Sequence, residues 1–299
     1  MQRRGADANH EMNALTSPLR WALFAVNLIF LVACQKPDVR YSKTLDRESL
    51  MRLPYPTWQA SGAGKVQQVD LSAISRGNDY AQASKTRAFI SPMYVVRLDD
   101  THAVMVTETW PTTKGDELLD CHACSGTIGA YFFENSASGW RLSSHQDAVA
   151  HSGANGNIGE TKITKLANGH FALTAEWGST WFGYSGSWLV VVGLKADKAS
   201  LLESGIPLSI DNDGAHGACS ELDNPTEGKE EAQPQECLDI RSQWKFQGES
   251  LLIDFAGRLS KLGPDGKLLP TRKIAQQARY GIAANQLNLT KGVNPVPGF

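Results

Sequence analysis

The chain is poor in charge and has almost no surplus of either sign. Charged residues make up 20% of its 299 positions, with 29 Lys and Arg against 31 Asp and Glu. The basic excess that neutralises a phosphate backbone is missing, so nucleic acid is not an expected partner. Long apolar runs are scarce as well. Apart from Trp21 to Ala33, no stretch approaches the roughly 20 apolar residues of a membrane-spanning helix, and that one falls short of a comfortable span. The chain contains no His-Glu-x-x-His, P-loop or dinucleotide fingerprint. It shows no clean repeat of about 40 to 50 residues, which weighs against a propeller.

What the chain does have is 27 Gly, 8 Trp and recurrent Asn-Gly and Asp-Gly turns, a mixture that favours many short strands. Met93 to Leu98 and Ala103 to Thr109 flank a polar turn at Asp99 to His102. Ile128 to Glu134 and Trp140 to Ser143 flank Asn135 to Gly139. Ile163 to Leu166 and His170 to Glu176 flank Asn168-Gly169, a strong two-residue hairpin signal. Trp188 to Leu194 is nearly all apolar, as suits a strand covered on both faces. Further runs follow at Gln243 to Gln247, Leu251 to Phe255 and Lys267 to Ala275. Sequential antiparallel strands must bury a face. The expected fold is an all-β meander forming a twisted sandwich or half-open barrel, with a propeller-like array as the alternative. Gly292 to Phe299, with Pro295 and Pro297, is expected to be extended.

Near the start, Arg20 precedes the apolar run Trp21 to Ala33, which closes as Leu31-Val32-Ala33-Cys34. This is the layout of a secretory signal, and its end resembles the lipobox of bacterial lipoproteins. The resemblance covers the signal and Cys34 alone. It implies a diacylglycerol on the Cys34 thiol, cleavage before it and a lipid anchor in the membrane. Gln35, where Asp would retain the protein in the inner membrane, implies the outer membrane, the domain facing the periplasm. Asp7 and Glu11 are out of place in a signal, and a start at Met12 would leave a compact positive segment.

Four cysteines remain: Cys121, Cys124, Cys219 and Cys237. In an oxidising compartment they read as two disulfides, and four cysteines permit three pairings. The acidic segment 220–236, with Pro225 and Pro234, favours Cys219 with Cys237 and hence Cys121 with Cys124; crossed pairings stay open. Closing a loop of that size removes roughly 3 kcal/mol of unfolded-chain entropy. Cys121-His122-Ala123-Cys124 is followed by Ser125, whereas haem attachment needs His there. A redox pair or a zinc site is the weaker reading, because the flanks are strand-like and the other two cysteines are widely spaced.

Other constellations point to ordinary structure. Asp211-Asn212-Asp213-Gly214 lacks the later ligands of a calcium loop and reads as a turn. Ser144-His145-Gln146-Asp147 holds triad residue types in one stretch, and Gly183-Tyr184-Ser185-Gly186 misses the nucleophile elbow by one position. Trp177, Trp181, Phe182, Tyr184 and Trp188 read first as core, with Trp177 and Trp188 the buried members; the alternative is a ligand platform formed by Trp181 and Tyr184, the members expected to be exposed.

These readings divide the chain into a signal at 1–33, a lipidated tether with little regular structure at 34–87 and one β-rich domain at 88–299. The expected function is an outer-membrane-anchored module that binds an envelope protein or glycan without a cofactor or metal. A periplasmic hydrolase acting on envelope glycans, its catalytic residues unplaced, is the alternative.

Overall fold

The computed structural model describes residues 39–74, 85–113, 115–118, 121–216 and 236–298. The expected signal, Cys34, Cys219 and nearly all of the acidic segment 220–236 therefore lie outside the described residues. Strands β1 (Val66–Val69), β2 (Thr86–Arg97), β3 (His102–Pro111), β4 (Gly126–Ser136) and β5 (Gly139–Ser152) pair in that order in one sheet. A second sheet follows chain order through β6 (Glu160–Lys165), β7 (Phe171–Trp181), β8 (Tyr184–Leu194), β9 (Ala199–Asp211), β10 (Cys237–Gln247), β11 (Ser250–Ser260), β12 (Arg272–Ala283) and β13 (Gln286–Gly292). Both sheets are antiparallel meanders, and the second curls into a half-barrel.

Alternation along the central strands decides how the sheets stack. On β4, Ile128, Ala130 and Phe132 point toward Leu173, Ala175, Val190 and Val192 of the second sheet, forming the core between the sheets. Tyr131 and Phe133 face the other way. β8 divides likewise: Val190, Val192 and Leu194 join the core between the sheets, whereas Leu189 and Val191 line the half-barrel. The continuous apolar run of β8 thus reflects burial on both faces.

The half-barrel is held by contacts that skip strands. Trp244 Nε1 on β10 donates to Glu176 Oε2 on β7 at 2.8 Å. β9 pairs with β8 along most of its length but with β10 only at Ile210 and Asp211. A cleft of about 330 Å³ lies between Leu201–Ser204 of β9 and Gln286–Asn288 of β13. The extended end of the chain ties the two sides together: Asn294 Nδ2 donates to the Pro207 carbonyl at 2.8 Å, and Val296 is buried in the half-barrel core.

The expected tether is corrected by the structure. Residues 40–71 fold onto the free face of the first sheet, and Arg40–Phe299 forms one compact unit. Helix α1 (Arg47–Met51) starts at Asp46, whose side chain accepts from the Ser49 N–H at 2.9 Å. It runs into Leu53-Pro54-Tyr55-Pro56, which cannot continue a helix. Leu50 and Met51 are fully buried with Trp58, Val69 and Leu71 against Ile90, Met105, Tyr131 and Phe133. The Trp58 indole N–H donates to the Ile90 carbonyl at 3.0 Å. Burying side chains of this size contributes about 1.5 to 3 kcal/mol each, an upper estimate. They escape a periodicity search because they are few and spread through polar sequence. Among the described residues, no helix is long and apolar enough to cross a membrane.

A tether residue can be truncated without consequence, and a core residue cannot. Leu50→Ala should lower unfolding stability by about 2 to 5 kcal/mol, as read from urea denaturation.

Candidate functional site

The most exposed large apolar side chain stands at the tip of the β7–β8 hairpin. Trp181 and Tyr184 form the last cross-strand pair, leaving Phe182-Gly183 as a two-residue turn with φ of 51° and 83°. Positive φ at both positions is the geometry whose twist matches a hairpin, and Asn-Gly is its usual sequence. Phe in the left-handed region costs roughly 1–2 kcal/mol. Phe182 is nonetheless there, 98% exposed, beside a Trp181 that is 44% exposed. Gly183 admits no substitute. Beyond its positive φ, a Cβ there would collide with the backbone of Gly214 and Ala215 in helix α2 (Asp213–His216).

The Cys121–Cys124 loop braces this tip from the other sheet's side. The two cysteines are disulfide-bonded, with Cα atoms 5.1 Å apart. Cys237 is disulfide-bonded too, while Cys219, the partner expected for it, lies outside the described residues. The His122 ring meets Trp181 edge-on at 6.0 Å, and its Nε2 lies 3.4 Å from Ser179 Oγ. Two motifs singled out separately in the sequence therefore form one surface. Nothing in the sequence joins them, because the contact spans 57 residues.

The other aromatics divide by depth. Trp177 and Trp188 stack face to face at 4.7 Å as a cross-strand pair, with Trp177 against the core between the sheets. Tyr184 is half-buried and packs against the half-barrel core, so the exposed pair is Trp181 and Phe182 rather than Trp181 and Tyr184. Gly183 to Gly186 belongs to the turn and to β8, not to a strand-to-helix elbow. Asn212, wholly buried, donates from Nδ2 to the Glu236 carbonyl and accepts from the Leu238 N–H, so the Asp211–Gly214 segment anchors α2 to β10. No group of three or more His, Cys, Asp or Glu able to hold a metal occurs among the described residues.

A second cluster surrounds Asp147. Alternate positions of β5 share a face, so His145 and Asp147 do meet: His145 Nε2 lies 3.7 Å from Asp147 Oδ1. Asp147 also accepts from the Tyr131 hydroxyl at 2.6 Å, the Tyr55 hydroxyl at 3.3 Å and the Asp70 N–H at 2.7 Å. His145 stacks on Tyr131 at 5.5 Å. Ser144 is not part of the group, so the triad pattern has no nucleophile in it. Burial, reinforced by neighbouring charge, raises both tyrosine pKa values above the ordinary 10.0. The cluster ties the N-terminal segment to the sheet.

Carboxylates with displaced pKa values are all displaced downward among the described residues. The Ser49 N–H holds Asp46 at about 2. Ser72 lowers Asp70, the Thr101 N–H lowers Asp99, and the Arg87 guanidinium lowers Asp116. Groups held ionised in this way stabilise turns and pairs; a general acid needs the opposite shift. Comparison with protein-family models, curated proteins and solved structures finds no match to the chain.

Tyr55 and Tyr131 favour their neutral forms in the folded protein, so their contribution is present below pH 10 and lost as pH rises above it. Replacing both by Phe should flatten the alkaline limb of a stability–pH curve. At the hairpin, Trp188→Ala should cost about 2 kcal/mol or more and Trp181→Ala about 0.5 or less, whereas Phe182→Asn should raise stability by up to about 1 kcal/mol. Thermal denaturation of the three variants checks this ranking.

Proposed function

We propose that this protein is a lipid-anchored binding module of the bacterial outer membrane, attached through Cys34 and contacting an envelope protein through the Trp181–Phe182 tip. The anchor reading rests on Leu31-Val32-Ala33-Cys34. The binding reading rests on one observation, a fully exposed Phe182 kept at a strained turn position where Asn or Gly would be more stable. Strain retained at an exposed site supports a functional role. The tip projects into solvent at Phe182, and the neighbouring Trp181 is braced by a disulfide-closed loop. A protruding aromatic of this kind fits a pocket on a partner protein, where buried aromatics act as anchors. Stacking a sugar would ask for a concave platform with polar groups around it.

A glycan hydrolase needs two carboxylates flanking a cleft, one with a raised pKa. The described clefts lie around α1 and between β9 and β13, away from Trp181 and Phe182. The binding module is therefore the better supported reading.

Cys34→Ser should leave unprocessed precursor without fatty-acid label; label on that variant would overturn the anchor. A photoreactive residue at position 182 should give a discrete protein adduct in intact envelopes, lost when Trp181 becomes Ala. Adducts to glycan strands alone would replace the protein partner with a glycan.

A further inference from the structure

The corrected N-terminal boundary changes what a lipid on Cys34 would do. The compact unit begins at Arg40, six residues after Cys34. Six residues span at most about 20 Å. An anchor at Cys34 would keep the start of the compact unit within about 20 Å of the bilayer. That face has the chemistry of a membrane-contacting surface. Arg40, Lys43, Arg47 and Arg52 are exposed, and Arg40, Lys43 and Arg52 line a groove of about 500 Å³ beside α1, next to the bridge from Ser42 to Trp140. The carboxylates among them are already engaged: Glu48 pairs with Arg52 at 3.2 Å, and Asp46 caps α1. Tyr41 is exposed beside these cations, at 43%. Basic side chains next to an exposed aromatic suit the headgroup region of an anionic bilayer. The cations are concentrated here although the whole chain carries a net charge of -2.

The strands give this face a direction. Ser42 bridges to Trp140, and Lys43 Nζ donates to the Ser138 carbonyl at 2.9 Å, so the entry of the chain sits at the β4–β5 turn. The aromatic hairpin packs on His122, just before the other end of β4. β4 is 11 residues long, so the two ends are separated by about 35 Å.

We infer that the basic N-terminal face lies against the phosphates of the bilayer holding the Cys34 lipid, and that the Trp181–Phe182 tip is directed away from it. This rests on the lipoprotein reading above. The lipid holds the chain at the surface, the cations set its tilt, and the tip meets its partner at a fixed height.

The test uses the full mature chain reconstituted into vesicles containing phosphatidylglycerol, with an acceptor dye on a fraction of the lipid headgroups. A donor dye is placed at Ala137→Cys, in the β4–β5 turn, or at Phe182→Cys. Energy transfer from position 137 should exceed that from position 182 by roughly twofold or more over a separation of about 35 Å. Reversing Arg40, Lys43 and Arg47 to Glu should shrink the difference, as should vesicles of phosphatidylcholine alone. Equal transfer from the two positions in a chain whose mass shows the Cys34 lipid overturns the orientation and leaves the anchor standing. A difference that survives charge reversal overturns the role given to the cations. A mature chain without lipid mass on Cys34 overturns the lipoprotein reading itself.

Discussion

Everything in the fold depends on β4 being apolar on both sides. A strand with one apolar face needs one partner layer, whereas Gly126 to Phe133 needs two, because every residue in it is buried. The second sheet supplies one cover through Leu173, Val190 and Val192. The other must come from elsewhere in the chain, and the N-terminal segment provides it with Leu50, Met51 and Trp58. Tyr131 shows how strict the demand is. Its ring is wholly buried, so its hydroxyl needs a partner inside, and Asp147 and Tyr55 provide one. The N-terminal segment is thus bound by apolar packing and by a polar network together.

The same economy governs the aromatic tip. Gly183 permits the turn and its close approach to α2, α2 is held to β10 by Asn212, and the disulfide-closed loop supports Trp181 from the first sheet. The tip is exposed but braced on two sides. A rigid anchor loses little side-chain freedom on binding, which favours affinity.

Much of the fold was legible because turns punctuate it. Asn168-Gly169 and the β-branched runs beside it mark one hairpin, and the unbroken apolar run of β8 marks a strand covered twice. β9 was hidden, since Gly205 and Pro207 interrupt its alternation. Pro207 is tolerated because it sits opposite Trp188 where the register shifts, on a stretch of β9 that does not pair with β10. α1 is only five residues long, too short for a helical period to show. At the candidate site, Trp181 stood out in its Gly- and Ser-rich surroundings. Phe182 did not, because Phe-Gly is not a usual hairpin turn, and the meeting of His122 with Trp181 is a tertiary fact with no local signal.

The bond between Asn294 and Pro207 bears on the order in which the molecule can assemble. In each meander a strand pairs with the strand that precedes it, so most ladders, such as β4–β5 and β7–β8, close over short loops at little cost in chain entropy. The half-barrel is different at its seam. Its closing bond joins residues 87 positions apart, and Val296 completes the core from the last few described residues. A chain extended from its N-terminus would hold an open seam until Asn294 and Val296 arrived. Those residues act as a fastener, and an exposed apolar interior is what the unfinished molecule would present to whatever escorts it.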